Sequence, residues 1–354
     1  MKVSGKKEEE ISKENFIKYQ KPKILLIDLP NKLTNKLKSV GFNVSAGTFG
    51  SPYKVEISDN YQPVIPSFNL PNFSEQEIII IDLTPPQILD VPKGKKIRSE
   101  GETDWWAKCS LGFIDPRPYV MSLVEESFDR ILAHDGLFVV FAQPRLYQSI
   151  YSAKMQLNQL QIGKYVATDN WSFLSILSNH VEIKEDYGTE IFLQEQRLKE
   201  FYFIKETLKD AQFTATIKFE YGYANDFKTI LKNKYGDYVG GIFSKEDSNG
   251  RIVILPQITK KIEVVVSLIN EFLPNLSPHL FPDFKKFKWI GDNEYELDTI
   301  LNYKTEKIKV NQRAKKELEE IDKKILKERE KLGFLHGIIT KSGDELVVSV
   351  KKMS

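Results

Sequence analysis

Two aliphatic runs, each closed by an aspartate, constrain this chain more than any other feature. Residues 23–28 read KILLID and residues 77–83 read EIIIIDL. Neither alternates with polar residues, so both faces must be covered, as in a buried parallel strand. Between them, Leu33, Leu37 and Val40 stand at helical spacing in residues 31–40, and Gly41 is placed to cap that helix. Residues 42–46 read as a second strand. Residues 118–134 predict a helix whose broad apolar face holds Val120, Leu123, Val124, Phe128, Ile131 and Leu132. Asp135-Gly136 then turns the chain into residues 137–142, LFVVFA. Strand–helix–strand alternation with short aliphatic strands predicts an α/β fold with a mainly parallel sheet.

The segment from Leu83 to Pro118 is rich in turn formers and charge, and reads as a loop docked on the sheet edge through Trp105 and Trp106. From Gly163 onward the texture changes. Residues 180–185, 214–220, 227–232, 238–243 and 251–255 read as strands, with turns at Tyr235-Gly236-Asp237 and Ser248-Asn249-Gly250. Residues 260–272 predict an amphipathic helix that stops at Leu273-Pro274.

Residues 238–257, YVGGIFSKEDSNGRIVILPQ, resemble the closing hairpin and last strand of class I glutamine-amidotransferase-like domains. Taken with the strands at Lys23 and Glu77, the resemblance spans residues 20–275 and implies a Rossmann-like sheet finished by a β-hairpin. It does not carry the activity. Amidotransferase catalysis needs a cysteine on a glycine-flanked strand-to-helix elbow beside a histidine base. Cys109 lies in AKCSLGF, inside the predicted loop, and none of His134, His180, His279 and His336 stands in a His-x-Glu dyad after a late strand.

Four segments follow: a charged tail (1–20), the α/β domain (21–275), a polar aromatic connector (276–303) and a charged helical arm (304–354). In the arm, Ala314, Leu318, Ile321, Ile325, Leu332 and Leu335 form an apolar seam with coiled-coil spacing over three heptads. That seam packs either within the chain or against a protein partner, a second copy included. Residues 331–354 contain Gly343-Asp344-Glu345-Leu346, which resembles the first helix of restriction-endonuclease-like domains, with Glu345 aligned to the helix-borne acid. An amphipathic terminal helix fits the same residues. The metal-binding strands of that family do not follow before Ser354, so the chain reads as the front part of a larger prokaryotic protein and is not expected to cut DNA alone.

Lysine and arginine (51) nearly balance aspartate and glutamate (49), so the net charge of +2 argues against a protein that coats polyanions. A hydrophobic fraction of 41% supports a real core. One cysteine fits a reducing compartment, the first twenty residues lack the apolar core of a secretory signal, and no apolar run is long enough to span a bilayer. The reading is cytoplasmic. G-x-S-x-G, phosphate-binding glycine loops, C-x-x-C and H-E-x-x-H are all absent. FKKFKW (284–289) has the residue types that stack bases and contact phosphates, yet its acidic neighbours also suit a solvated connector, so nucleic acid stays an open partner.

Asp28 and Asp82 each end an aliphatic strand, which places both at the carboxyl edge where open α/β sheets bind ligands. Two carboxylates there would suit Mg²⁺, which takes one or two acids plus water and phosphate; each would equally suit a loop cap. Gln143 and Arg145 follow LFVVFA at the same edge and would contact a small anionic ligand. The expected function is a non-catalytic recognition or regulatory module of a defence or nucleic-acid-processing protein. The alternative is a Mg²⁺-dependent enzyme acting on a phosphorylated or nucleotide substrate through Asp28 and Asp82.

Overall fold

The computed structural model describes residues 20–90, 103–109, 111–156, 159–194, 210–244 and 248–282, together with helical residues between 306 and 329. The chain divides into two compact units, Met1–Lys285 and Lys286–Ser354. In the first unit the chain runs β1 (Lys23–Ile27), α1 (Asn31–Ser39), β2 (Asn43–Gly47), β3 (Tyr53–Lys54), β4 (Ser58–Pro63), β5 (Ile78–Asp82), β6 (Thr103–Cys109), β7 (Phe113–Ile114), α2 (Arg117–Ala133) and β8 (Leu137–Phe141). It continues through β9 (Tyr147–Gln156), β10 (Gln159–Asp169), α3 (Ser175–Asn179), β11 (Val181–Gly188), β12 (Ile191–Leu193), β13 (Ala211–Phe219), β14 (Phe227–Asn233), β15 (Tyr238–Phe243), β16 (Arg251–Leu255), β17 (Gln257–Ile258) and α4 (Lys261–Ser267).

The main sheet has eight strands in the order β12-β14-β15-β16-β8-β5-β1-β2. β2, β1, β5, β8 and β16 run parallel, and β15, β14 and β12 add antiparallel strands beyond β16. The aliphatic runs are explained by cover on both faces. Ile24, Leu26, Ile78, Ile80, Val139 and Phe141 pack with Leu33 and Leu37 of α1 and Val264 and Val265 of α4. The alternate residues Leu25, Ile27, Ile79, Ile81, Phe138 and Val140 pack with Val120, Val124 and Phe128 of α2. A strand buried on both sides has no position at which a polar residue is free of cost.

The expected strands occur within about three residues of their sequence bounds, β11 running on to Gly188 and β13 starting at Ala211, and Gly41 closes α1 with a φ of 102°, which suits glycine. Residues 238–255 form the expected hairpin, with β15 antiparallel to β16 and β16 parallel to β8. Three expectations need correction. The tryptophan-bearing segment is not a loop on the sheet edge: Trp105, Trp106 and Cys109 lie in β6, a strand of a separate antiparallel sheet ordered β10-β9-β6-β4. The hairpin β9–β10 that completes this sheet starts at Tyr147, well before the expected change of texture, and Gly163 lies inside β10. The helix after β16 does not stop at Pro274; a wider-wound turn over Leu268–Phe272 lets it continue into Leu273–Leu276.

In the second unit residues 316–329 are helical, with Leu318, Ile321 and Ile325 each at least 44% exposed. The rest of the expected arm, most of the connector, the charged tail and Glu345 lie outside the described residues.

Candidate functional site

The strand order fixes where a site forms. From β1 the chain steps outward to β2, then returns to β5 on the other side of β1. Connections leave in opposite directions at β1 and β5, the arrangement at whose carboxyl ends open α/β sheets bind ligands. Ile27 of β1 pairs with Ile81 of β5, so Asp28 and Asp82 directly follow paired residues on adjacent strands.

Asp82 is buried and fully engaged. Its Oδ1 accepts from the Thr84 amide (3.0 Å) and the Thr84 hydroxyl (2.7 Å), with the Gln257 amide at 3.4 Å; its Oδ2 holds the ammonium of Lys261. Lys261 opens α4, and its ammonium also donates to the Thr84 hydroxyl (3.2 Å) and sits over the Phe141 ring. Gln257 is anchored by donating to the Phe141 and Ala142 carbonyls, 3.1 and 3.0 Å away. Loops after β5 and β16 are thereby tied together around one carboxylate.

Beside this network lies a second pair. Asp115 and Arg117 are each 1% exposed, and the Arg117 Nη2 and Nε donate to the two Asp115 oxygens at 2.6 to 3.1 Å. Arg117 Nη1 reaches the Thr84 carbonyl at 3.4 Å. A bidentate guanidinium–carboxylate pair is the geometry that best offsets the desolvation of two buried charges.

Asp28 differs from both. Its backbone is left-handed (φ 59°), a conformation that aspartate tolerates better than most residues. Its carboxylate accepts from the Phe49 amide at 3.4 Å and from the Thr48 hydroxyl. Among the described residues no ammonium or guanidinium pairs with it. Burial lifts the Asp28 carboxyl from the ordinary 3.8 to about 6; the Thr48 and Phe49 hydrogen bonds and the Arg117 charge oppose that rise, and the Asp82 charge adds to it. Among the described residues the edge therefore holds three carboxylates (Asp28, Asp82 and Asp115) against two cations (Lys261 and Arg117), and Asp28 is the one without a paired cation.

Gln143 and Arg145 sit elsewhere on this end of the sheet. Gln143 Oε1 accepts from the Thr214 hydroxyl at 3.3 Å, and its carbonyl accepts from the Trp171 indole at 3.0 Å. Arg145 is 2.6 Å from Asp169 and donates to the Leu177, Ser178 and Val181 carbonyls, which joins the end of β10 to α3 and β11. No hydrogen bond joins either residue to Asp28 or Asp82 among the described residues. An anion at Arg145 would have to displace Asp169. Sequence reasoning missed Thr84, Asp115, Arg117, Gln257 and Lys261. The last two carried a readable signal, since Gln257 stands just past the fifth parallel strand and Lys261 opens the helix that follows it.

Mg²⁺ fits this arrangement poorly. Asp28 has carboxylate capacity to spare, but Asp82 is committed to an ammonium, a hydroxyl and two N–H groups, so an ion bridging both acids would have to expel Lys261. Among the described residues no group of three or more His, Cys, Asp or Glu side chains is placed to hold a metal. No described helix is long and apolar enough to cross a membrane. No family model, no curated protein and no solved structure matches the chain.

Proposed function

We propose that the chain is a non-catalytic recognition module that takes a small ligand at the carboxyl edge of the parallel strands. The ligand presents a positively charged or proton-donating group to Asp28. The observation that carries this reading is the half-buried carboxylate of Asp28, without a paired cation among the described residues and held in a left-handed backbone conformation. Both features cost stability, and such costs gather where a fold serves a ligand. The surrounding acids are already matched, which leaves Asp28 as the edge's acceptor. The Rossmann-like, amidotransferase-like ancestry, the cytoplasmic setting and the place within a prokaryotic defence or nucleic-acid-processing protein rest on the sequence pattern. Exposed Leu318, Ile321 and Ile325 support the helical arm as the surface for self-association or a protein partner.

The Mg²⁺-dependent enzyme keeps one supporting observation, the matched positions of Asp28 and Asp82 on adjacent strands. A thermal-shift panel of agmatine, putrescine, adenosine and MgCl₂ separates the two readings. An amine that stabilises the wild type, fails to stabilise Asp28→Asn and is recovered unchanged supports the module. Mg²⁺-dependent hydrolysis of a phosphate ester, abolished in both Asp28→Asn and Asp82→Asn, supports the enzyme.

A further inference from the structure

Residues 316–329 of the second unit are helical, and every one of them is exposed. Leu318, Ile321 and Ile325 are 63%, 50% and 44% exposed, and their spacing of three and four residues puts them on one face. Ala314, four residues before Leu318, is also helical and exposed, and extends the stripe. A helix this short is marginal in water without a packed apolar face, so the stripe calls for cover. Written as a heptad, Leu318 and Ile325 take a, and Ala314 and Ile321 take d. Glu317 and Lys324 then take g, Asp322 and Arg329 take e, and Glu328 takes the next d.

The flanking charges decide the occupant and its direction. Two parallel copies in register would set each g residue against the e residue of the following heptad. Glu317 would meet Asp322 and Lys324 would meet Arg329, like charges on both flanks, and Glu328 would face its own copy inside the seam. Turning one helix end for end exchanges its flanks, so that g meets g. Glu317 then meets Lys324 of the second copy, and twofold symmetry repeats the pair. The core closes in the same arrangement: Leu318 faces Ile321, the small Ala314 faces Ile325, and the two Glu328 side chains move to opposite ends. A partner of other sequence would have to supply both an apolar stripe and the reverse order of charge; a second copy supplies both. We infer that the arm pairs with the arm of a second copy as an antiparallel two-helix coiled coil, with Glu317 and Lys324 selecting the orientation. This rests on the proposed reading of the arm as an association surface, and adds its occupant and direction.

The test is sedimentation equilibrium of the full chain over a concentration series, with charge reversals as the probe. Wild type should dimerise and Ile321→Asp should not. Glu317→Lys and Lys324→Glu should each raise the dimer Kd about fivefold or more, because each turns two attractive pairs repulsive. The double variant Glu317→Lys/Lys324→Glu should return close to the wild-type Kd. It keeps the composition of the helix, so its recovery separates pairing between chains from loss of helix. A parallel pair predicts the opposite sign, since Glu317→Lys would relieve the clash with Asp322 and Lys324→Glu the clash with Arg329. Tighter dimers from the single reversals would therefore overturn the antiparallel arrangement and leave self-association of the arm standing. A double variant as weak as the single ones would also overturn the pairing. A wild type that stays monomeric, or a dimer indifferent to Ile321→Asp, would overturn self-association through the arm and the inference with it.

Discussion

Replacing Asp28 with asparagine removes one charge and keeps the shape of the side chain. Asparagine also accepts the left-handed backbone at this position, where φ is 59°, and its carbonyl can still accept from the Phe49 amide. In the wild type the folded-state carboxyl titrates near 6 and the unfolded one near 3.8. Between those values the native state holds a proton that the unfolded state has released, so stability falls as pH rises. The contribution of the neutral acid is complete below pH 3.8 and gone above about pH 6. Linkage puts the wild type below the uncharged reference by about 0.5 kcal/mol at pH 4, about 1.6 at pH 5 and about 3 at pH 8. Asp28→Asn should therefore be more stable than wild type at pH 8, with most of the gain lost by pH 4. Urea unfolding across that range, read as the midpoint at constant m-value, gives the difference directly. A variant no more stable than wild type at pH 8, or a gap that ignores pH, would refute the claim that Asp28 is desolvated without a paired counter-charge.

Three further outcomes follow from the same geometry. Arg117→Ala leaves Asp115 charged and 1% exposed, and should lose about 3–5 kcal/mol in urea unfolding; adding Asp115→Ala should restore much of it. Gly250→Ala should cost about 3 kcal/mol by thermal or chemical unfolding, because a Cβ there would lie 2.0 Å from the Leu132 carbonyl oxygen. In the arm, Ile321→Asp should convert a wild-type dimer to a monomer by light scattering; a monomeric wild type would mean that the seam packs within the chain or against another protein.

The parallel half of the fold was legible because its strands are buried on both faces. KILLID, EIIIIDL, LFVVFA and RIVIL admit few other readings, and their order placed Asp28 and Asp82 correctly at one edge. The antiparallel sheet was hidden by its composition. β9 and β10 are rich in Ser, Gln, Lys and Tyr, and β6 is set among turn formers, so neither the apolar period nor the flanks marked them. Arg145 shows a different limit. It does follow β8 at the expected edge, but Asp169 and three carbonyls, 24 to 36 residues downstream, claim its donors. The Asp82–Lys261 pair likewise joins residues 179 apart in the chain, a contact that only the closed sheet creates.

The carboxyl carbon of Asp28, followed by NMR across pH with and without millimolar Mg²⁺, tests the central claim most directly. A recognition site with an uncompensated acid predicts a midpoint near 6 in the free protein and, with Mg²⁺, no joint shift of Asp28 and Asp82. A midpoint near 3.8, or Mg²⁺ moving both carboxyls together, would contradict it.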